Sequence, residues 1–384
     1  MTDSFIPYAK QQIDEEDIDA VVAALRSDWL TTGPQVARFE QELANTTSTK
    51  HAVVFSSGTA ALHAAYFTAG VRYSDEVITT PLTFAATANA ALYLGAKPVF
   101  VDIESGFFNI NPALIEKSIT NRTKVIAPVD MAGQPAPIKE IMEIGHRYGI
   151  TVVEDAAHAL GARYKGKPVG TWADMTILSF HPVKHITCGE GGAVLTNDQE
   201  YYERLLAFRS HGVVRDPAQL MENHGPWHYE MHYLGYNYRL TDIQCALGLN
   251  QLKKLDKFLA RRREIAYRYN EAFIGCPHLA TPMTPSWADP AWHLYVLRLA
   301  GDTPPRRQLV DRLSARGIGT QVHYLPVYRH PYYQGLGYRA GLCPNAEDYY
   351  RRALTIPLYP AMNDEDVKRV IDAVLEEVNL LYCC

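Results

Sequence analysis

Apolar positions along the chain fall into short runs of strand length, separated by segments with helical periodicity. Residues 14–26 open with acids (Asp14, Glu15, Glu16, Asp17) and carry apolar side chains at Ile18, Val21, Val22 and Leu25. That spacing predicts an amphipathic helix with favourable charge at its amino end. Strand-length apolar runs follow near 51–55, 76–79, 98–101, 124–129 and 150–154, with helix-like segments such as 59–69 and 137–148 between them. The alternation predicts an α/β architecture, a mostly parallel sheet sandwiched by helices. Two further strands are expected at 175–180 and 193–196.

After about residue 250 the pattern changes. Residues 252–269 read as one long helix rich in Lys and Arg, and a connection carrying Pro277, Pro282, Pro285 and Pro290 follows. Strands at 293–299 and 319–323 and helices at 305–315 and 363–381 give this part an α/β layer of its own. A chain of 384 residues exceeds the size at which one core keeps growing. We therefore expect a large domain over 1–250, which includes the amino-terminal segment, and a smaller one over 251–384. The sequence contains no internal repeat and no low-complexity tract.

Composition narrows the function classes. Apolar residues make up 47% and charged residues 21%, ordinary for a globular protein, and disorder is expected only at the ends. The net charge of -5, with scattered Lys and Arg, gives no electrostatic footprint for nucleic acid or an anionic membrane. A small-molecule partner is the expectation. The segment Met1 to Pro7 lacks a basic start and an apolar stretch of signal-peptide length, and no membrane-spanning run follows, so a cytoplasmic location is expected. The six cysteines show neither CxxC spacing nor a His-Cys cluster, so no metal site and no disulfide framework is predicted; Cys383-Cys384 reads as an oxidation liability.

The candidate chemistry centres on Lys184, in Ser179-Phe180-His181-Pro182-Val183-Lys184-His185-Ile186-Thr187 beside the turn Gly189-Glu190-Gly191-Gly192. An amine among apolar neighbours in a cleft is driven towards its neutral, nucleophilic form, as a Schiff-base lysine requires. The plain alternative is a lysine snorkelling from a strand end. Asp155 closes the run 150–154, at the end of a strand where open α/β sheets bind ligands; it reads as metal ligand, base, counter-ion or helix cap. Ser57-Gly58-Thr59 precedes the helical run from Ala60, where free N–H groups and the helix dipole favour a phosphate, although Ser-Gly-Thr also serves as a plain cap. A phosphate cradle, a strand-end aspartate and a cleft lysine together match pyridoxal 5'-phosphate, held by its phosphate, ring nitrogen and aldehyde. Other nucleotide motifs fail. Gly161 to Lys167 has P-loop spacing but Pro168 replaces the required hydroxyl, and a hairpin turn accounts for it better; Gly189 to Val194 lacks the third glycine of a dinucleotide fingerprint.

The ordered motifs Thr31-Thr32-Gly33-Pro34, Ser57-Gly58-Thr59-Ala60-Ala61-Leu62, Thr83-Phe84-x-Ala86-Thr87, Glu154-Asp155-Ala156-Ala157-His158, Ser179 to Lys184, Gly235-Tyr236-Asn237-Tyr238-Arg239 and Gln321-Val322-His323-Tyr324 span nearly the whole chain. In this series the sequence resembles the DegT/DnrJ/EryC1/StrS sugar-nucleotide aminotransferases, of the aspartate-aminotransferase-like fold (fold type I of pyridoxal phosphate enzymes). The resemblance implies that Lys184 forms the Schiff base and then moves the proton between Cα and C4', and that Asp155 keeps the ring nitrogen protonated. His158 matches the position that meets the ring hydroxyl and Phe84 the aromatic that stacks on the ring. Gly58, Thr59 and Ser179 match phosphate contacts, and Asn237 matches one supplied by a neighbouring subunit, which implies a homodimer with shared active sites. Packing and turn roles are the ordinary readings of His158, Phe84 and Asn237. Tyr8, Thr32, His323 and Tyr324 match segments on the nucleotide-sugar side, or serve as scaffold. His181 and His185 flank the lysine and would lower its pKa if charged, or simply pack.

The resemblance further implies a ping-pong reaction in which L-glutamate yields 2-oxoglutarate and leaves pyridoxamine phosphate, which then aminates a keto sugar nucleotide. Within the family, Val129-Asp130-Met131-Ala132-Gly133, the His-Pro-Val-Lys-His-Ile-Thr stretch and Arg209-Ser210-His211-Gly212 favour the branch that acts at C4 of a UDP-linked 2-acetamido-2,6-dideoxy-4-keto-hexose, towards pseudaminic acid. Alternatives are amination of another nucleotide-linked keto sugar, such as a dTDP-linked 4-keto or 3-keto sugar, and a non-catalytic sugar-nucleotide-binding regulator. A pyridoxamine-dependent dehydratase would carry histidine where Lys184 stands.

Overall fold

The computed structural model describes residues 5–382; Cys383-Cys384 and the start of the amino-terminal segment lie outside the described residues. The first nine strands are β1 (His51–Phe55), β2 (Glu76–Thr79), β3 (Lys97–Phe100), β4 (Thr123–Ala127), β5 (Thr151–Asp155), β6 (Arg163–Tyr164), β7 (Lys167–Pro168), β8 (Met175–Ser179) and β9 (Gly192–Thr196). Seven of them form one sheet in the order β1-β9-β8-β5-β4-β2-β3. Neighbours from β8 to β3 pair in parallel, as the alternation of strands and helices predicts. The last of the seven departs from that expectation: β9 runs antiparallel to both β1 and β8. Its entry point Gly192 faces Phe55 on one side and Ser179 on the other. The carboxyl ends of β1, β5 and β8 thus meet the amino end of β9 along one edge.

The strands β2, β8 and β9 are buried along nearly their whole length, which is why they read as continuous apolar runs rather than alternating ones. The first four helices are α1 (Glu15–Leu25), α2 (Pro34–Thr47), α3 (Gly58–Thr68) and α4 (Ala86–Tyr93); α2 packs on β1, α3 on β8 and β9, and α4 on β2 and β3. The first of these opens on a capping box between Asp14 and Asp17. Between β6 and β7, Lys165 and Gly166 both have positive φ (47° and 78°), the geometry of a type I' hairpin, so the Gly161 to Lys167 stretch is a turn and not a phosphate loop.

Two elements differ from expectation. The helix expected over 252–269 is observed as Leu255–Phe273, beginning three residues later because a separate helix, Asp242–Leu252, ends at its expected start. The break falls at Lys253-Lys254, where the chain is anchored to the amino terminus. Buried Asp17 accepts hydrogen bonds from Asn250 Nδ2 (2.8 Å) and Gln251 Nε2 (2.7 Å), and Lys254 pairs with Asp17 at 3.0 Å and with Asp14. The strand expected over 319–323 is a single bridge from Gln321 to Thr355, because the chain leaves the sheet there to bring His323 and Tyr324 to the main cavity. The third strand of the small antiparallel sheet is instead Ala353–Ile356, beside Tyr295–Leu299, whose other neighbour is Leu279–Ala280. Ile6 pairs with Ile318 and joins an apolar cluster with Ile265, Tyr295, Leu309 and Val367, so the amino-terminal segment is stitched to the carboxyl-terminal layer. Among the described residues no helix is long and apolar enough to cross a membrane.

Removing Asp17 leaves Lys254, Asn250 and Gln251 without their shared acceptor in a dry site. We expect Asp17→Ala to destabilise the fold by about 3 kcal/mol, read as a fall in melting temperature, while Asp19→Ala on the same helix leaves it within about 0.5 kcal/mol.

Candidate active site

The edge where β1, β5, β8 and β9 meet floors a cavity of about 460 Å3. Its amino-terminal wall is the start of α3. Ser57 is extended (φ -161°) and its hydroxyl caps the helix by accepting from Ala60 N at 3.1 Å. The N–H groups of Gly58 and Thr59, in the first turn, have no partner within the helix. A Cβ on Gly192 would lie 2.6 Å from Gly58 N, and one on Gly58 would lie 3.2 Å from Ser179 Cβ. The two glycines therefore let β9, β8 and the helix start close around one point, and α3 is buried from Ala60 to Tyr66, so its dipole acts in a low-dielectric setting.

Asp155, the last residue of β5, is buried below the opposite wall. Its Oδ2 accepts from Thr87 Oγ1 at 2.6 Å and its Oδ1 from Ala157 N at 3.2 Å. Thr83 Oγ1 lies 2.7 Å from Thr87 Oγ1, so the hydroxyls form a short chain ending on the carboxylate. Burial pushes the Asp155 pKa up, while the bonds from Thr87 and Ala157 and the charge of Lys184 oppose the rise. A cationic N–H arriving in the cavity would remove that conflict.

Lys184 sits on the loop between β8 and β9. Phe180 organises this loop: its N–H donates to Gly191 O, its carbonyl accepts from Cys188 N and Thr187 Oγ1, and its ring packs on Phe39 at 5.3 Å. The lysine is thereby presented to the cavity. Burial pushes its amine down to about 8; Asp155 opposes the fall and the buried Arg262 adds to it.

His158 follows Asp155 and is 5% exposed, with Nε2 3.3 Å from the Tyr324 hydroxyl and Nδ1 buried without a partner. Burial drives its pKa well below the usual imidazole value, so it is neutral. Phe84 is 63% exposed at the cavity wall, 6.3 Å from the Tyr324 ring, an unusual exposure for an aromatic that faces a cleft. Tyr8 packs on His323 at 5.4 Å, and His323 Nδ1 is bonded to Thr355 Oγ1 at 2.8 Å.

Of the residues singled out from the sequence, the structure brings Lys184, Ser57, Gly58, Thr59, Phe84, Asp155, His158, Ser179, Tyr8, His323 and Tyr324 to this one cavity. Two lie elsewhere in the single chain. Asn237 is exposed and pairs with Ser210, and Thr32, at positive φ (53°), lines a separate surface depression with Arg209, His211 and Arg239. Sequence reasoning missed two residues. Thr87 lies inside the Thr83-Phe84-x-Ala86-Thr87 motif, which was the available signal for it. His293, whose ring lies 4.4 Å from that of His158 and whose Nδ1 is buried and unpartnered, comes from the carboxyl-terminal part and no local pattern marks it. His181 is exposed at the cavity, whereas His185 turns away into the core and bonds Ala291 O at 3.1 Å.

The model of the DegT/DnrJ/EryC1/StrS aminotransferase family matches residues 11–375. The chain belongs to that family. It is 43% identical over 380 residues to the spore coat polysaccharide biosynthesis protein SpsC of Bacillus subtilis, covering 97% of each chain. It is 42% identical over 385 residues to the UDP-4-amino-4,6-dideoxy-N-acetyl-beta-L-altrosamine transaminase of Campylobacter jejuni, covering 98% of this chain and all of that one. Among solved structures, Helicobacter pylori PseC, an aminotransferase involved in the biosynthesis of pseudaminic acid, superposes with a TM-score of 0.91 at 35% identity, over 98% of this chain and 100% of that one. This member of the family is a sugar aminotransferase dependent on pyridoxal phosphate, with an aspartate-aminotransferase-like α/β fold.

The cavity suits that cofactor on its own terms. Gly58, Thr59 and Ser179 would hold the phosphate at the start of α3, Asp155 the ring nitrogen, the orphaned Nδ1 of His158 a polar ring substituent, the exposed face of Phe84 the ring, and Lys184 the aldehyde. Two outcomes check this arrangement. Gly192→Ala forces backbone apart at the phosphate end, and we expect cofactor affinity, measured by fluorescence titration, to fall at least about tenfold with the fold retained. Thr87→Val removes one of the two bonds to the Asp155 carboxylate, and the same titration should show a loss of roughly five- to tenfold, near 1 kcal/mol.

Proposed function

We propose that this chain transfers an amino group from L-glutamate to C4 of a UDP-linked 2-acetamido-2,6-dideoxy-4-keto-hexose, on the route to pseudaminic acid in the cytoplasm. The observation that carries the transamination reading is Lys184 in one cavity with the buried Asp155 and the start of α3. Similarity to the Campylobacter transaminase and to PseC supports the sugar.

Each residue then has a task. The bound cofactor supplies an electron sink for the pair released when the substrate carbon loses its proton. Asp155 supports that sink by staying ionised against a protonated ring nitrogen, which its two hydrogen bonds and buried site favour once a cation is present. Lys184 Nζ removes the proton from Cα of glutamate and returns one to the same side of the cavity, and in the second half-reaction it acts at C4 of the sugar in reverse. Neutral His158 orients without adding charge. Tyr8, His323 and Tyr324 bind the sugar nucleotide. Glutamate leaves as 2-oxoglutarate before the keto sugar enters, so initial-rate plots are ping-pong.

The same reading includes a homodimer with shared sites. Asn237 is exposed, and Trp227, Met231 and Leu234 upstream of it are large apolar side chains facing solvent, which a second copy would cover. Thr32 and Asn237 then serve the cavity of the other copy.

Purified protein with glutamate should lose the visible absorption of its bound cofactor and release one 2-oxoglutarate per site; a Lys184→Ala protein that still turns over contradicts the assignment. Across a panel of UDP- and dTDP-linked keto sugars, amination of the UDP-linked 4-keto sugar is expected, and exclusive use of a dTDP-linked 3-keto sugar overturns the substrate while leaving the reaction intact. Lys184→Ala and Asn237→Ala should each be nearly inactive alone. Mixed and allowed to exchange subunits, they should recover about a quarter of normal activity, because half of the dimers are mixed and each mixed dimer has one intact site. No recovery despite subunit exchange contradicts sharing.

A further inference from the structure

Arg262 is one of the largest fully buried side chains in the molecule, 1% exposed, on the helix Leu255–Phe273. A buried cation is normally matched by a carboxylate, since an unmatched charge in a dry site is costly. Here the ion pairs of the described residues include none for Arg262. Its Nη1 instead donates to three backbone carbonyls, Trp292 O and His293 O at 3.3 Å each and Leu358 O at 3.0 Å. The Nε is buried and has no partner. These bonds fix the guanidinium in place. Carbonyls alone would be served as well by a neutral amide, so packing does not account for the charge. Even in this setting the group keeps its proton at neutral pH, burial taking its pKa down only to about 10.

What lies beside it does account for the charge. Lys184, His185 and Arg262 line one small void of about 10 Å3, room for a single water, distinct from the main cavity that Lys184 also lines. Lys184 therefore has a carboxylate, Asp155, in its field from one element and a fixed cation, Arg262, from another. The other titratable groups around it differ in weight. His158, His185, His293 and His323 are all driven neutral, by burial first and by Lys184 among other charges. His181 and Glu190 line the main cavity at exposed positions and Lys10 lines the rim of the small void, where water screens them.

We propose that Arg262 is a positioning residue that sets the charge state of Lys184, a permanent cation fixed behind the lysine that disfavours its ammonium form and offsets the pull of Asp155. The role lies outside the chemistry, since Arg262 does not line the main cavity. It rests on the reading of Lys184 as the reactive amine, and its test uses cofactor-free protein so that the two stand or fall separately.

Cofactor-free protein is labelled with a trace of acetic anhydride from about pH 6 to about pH 10, and the peptide containing Lys184 is quantified by mass spectrometry. The wild-type midpoint is expected near 8. Arg262→Gln, which keeps hydrogen-bonding capacity without charge, should raise it by about one unit, leaving about tenfold less neutral amine at pH 7. Arg262→Lys, which keeps the charge, should leave the midpoint in place even if melting temperature falls. A wild-type midpoint at the ordinary lysine value, a wild-type midpoint in folded Arg262→Gln, or an equal shift in Arg262→Lys overturns the proposal. Should Arg262→Gln not fold, the wild-type and Arg262→Lys profiles decide. An ordinary midpoint sinks the role of Arg262 and leaves transamination standing, whereas turnover by Lys184→Ala does the reverse.

Discussion

Asp155, buried, and Lys184, half-buried, share one cavity, and the free energy of bringing opposite charges towards a drier setting constrains much of what surrounds them. Burial alone would neutralise both: it raises the aspartate and lowers the lysine. Hydrogen bonds from Thr87 and Ala157 support the aspartate, whereas among the described residues none is made to the lysine amine. The hydrogen bonds thus hold the carboxylate pKa down against burial, while burial lowers the amine to about 8. A site arranged this way favours a ligand that brings a cationic N–H to one end and an aldehyde to the other.

Topology delivers those groups to one place. A purely parallel sheet would carry its crossover helix from the end of β8 and leave no short loop at the ligand edge. Reversal of β9 replaces the crossover with the loop 180–191, which carries Lys184 and returns at Gly192 directly beside the start of α3. The reversed strand also accounts for the glycines there, because a side chain at Gly192 would strike Gly58 N. The carboxyl-terminal layer closes the other side with His293, His323 and Tyr324, and Arg262 ties its backbone to the long helix.

How much of this was legible in the sequence follows from how local each signal is. Ser57 to Thr59, Asp155 and Lys184 stand out because each ends or follows an apolar strand within a few residues, and the chemistry of a helix start or strand end is local. The strands β2, β8 and β9 were legible for a related reason: buried along nearly their whole length, they read as short apolar runs. The reversal of β9 was not, since direction is decided by connection and packing rather than by composition. The exact start of the long helix was hidden because the apolar spacing runs on through Leu252, and the anchor at that point is a carboxylate more than 230 residues away in sequence, Asp17. His293 and Arg262 were illegible for a related reason. Both read as ordinary members of a strand and a basic helix, and only the fold places them beside the lysine.

The central claim is that Lys184 and no other lysine carries the cofactor. Protein loaded with pyridoxal phosphate, reduced with borohydride, digested and mapped by mass spectrometry tests it most directly. The account predicts one reduced pyridoxyl adduct per chain, on the peptide containing Lys184; an adduct on a different lysine, with Lys184 unmodified, would contradict it.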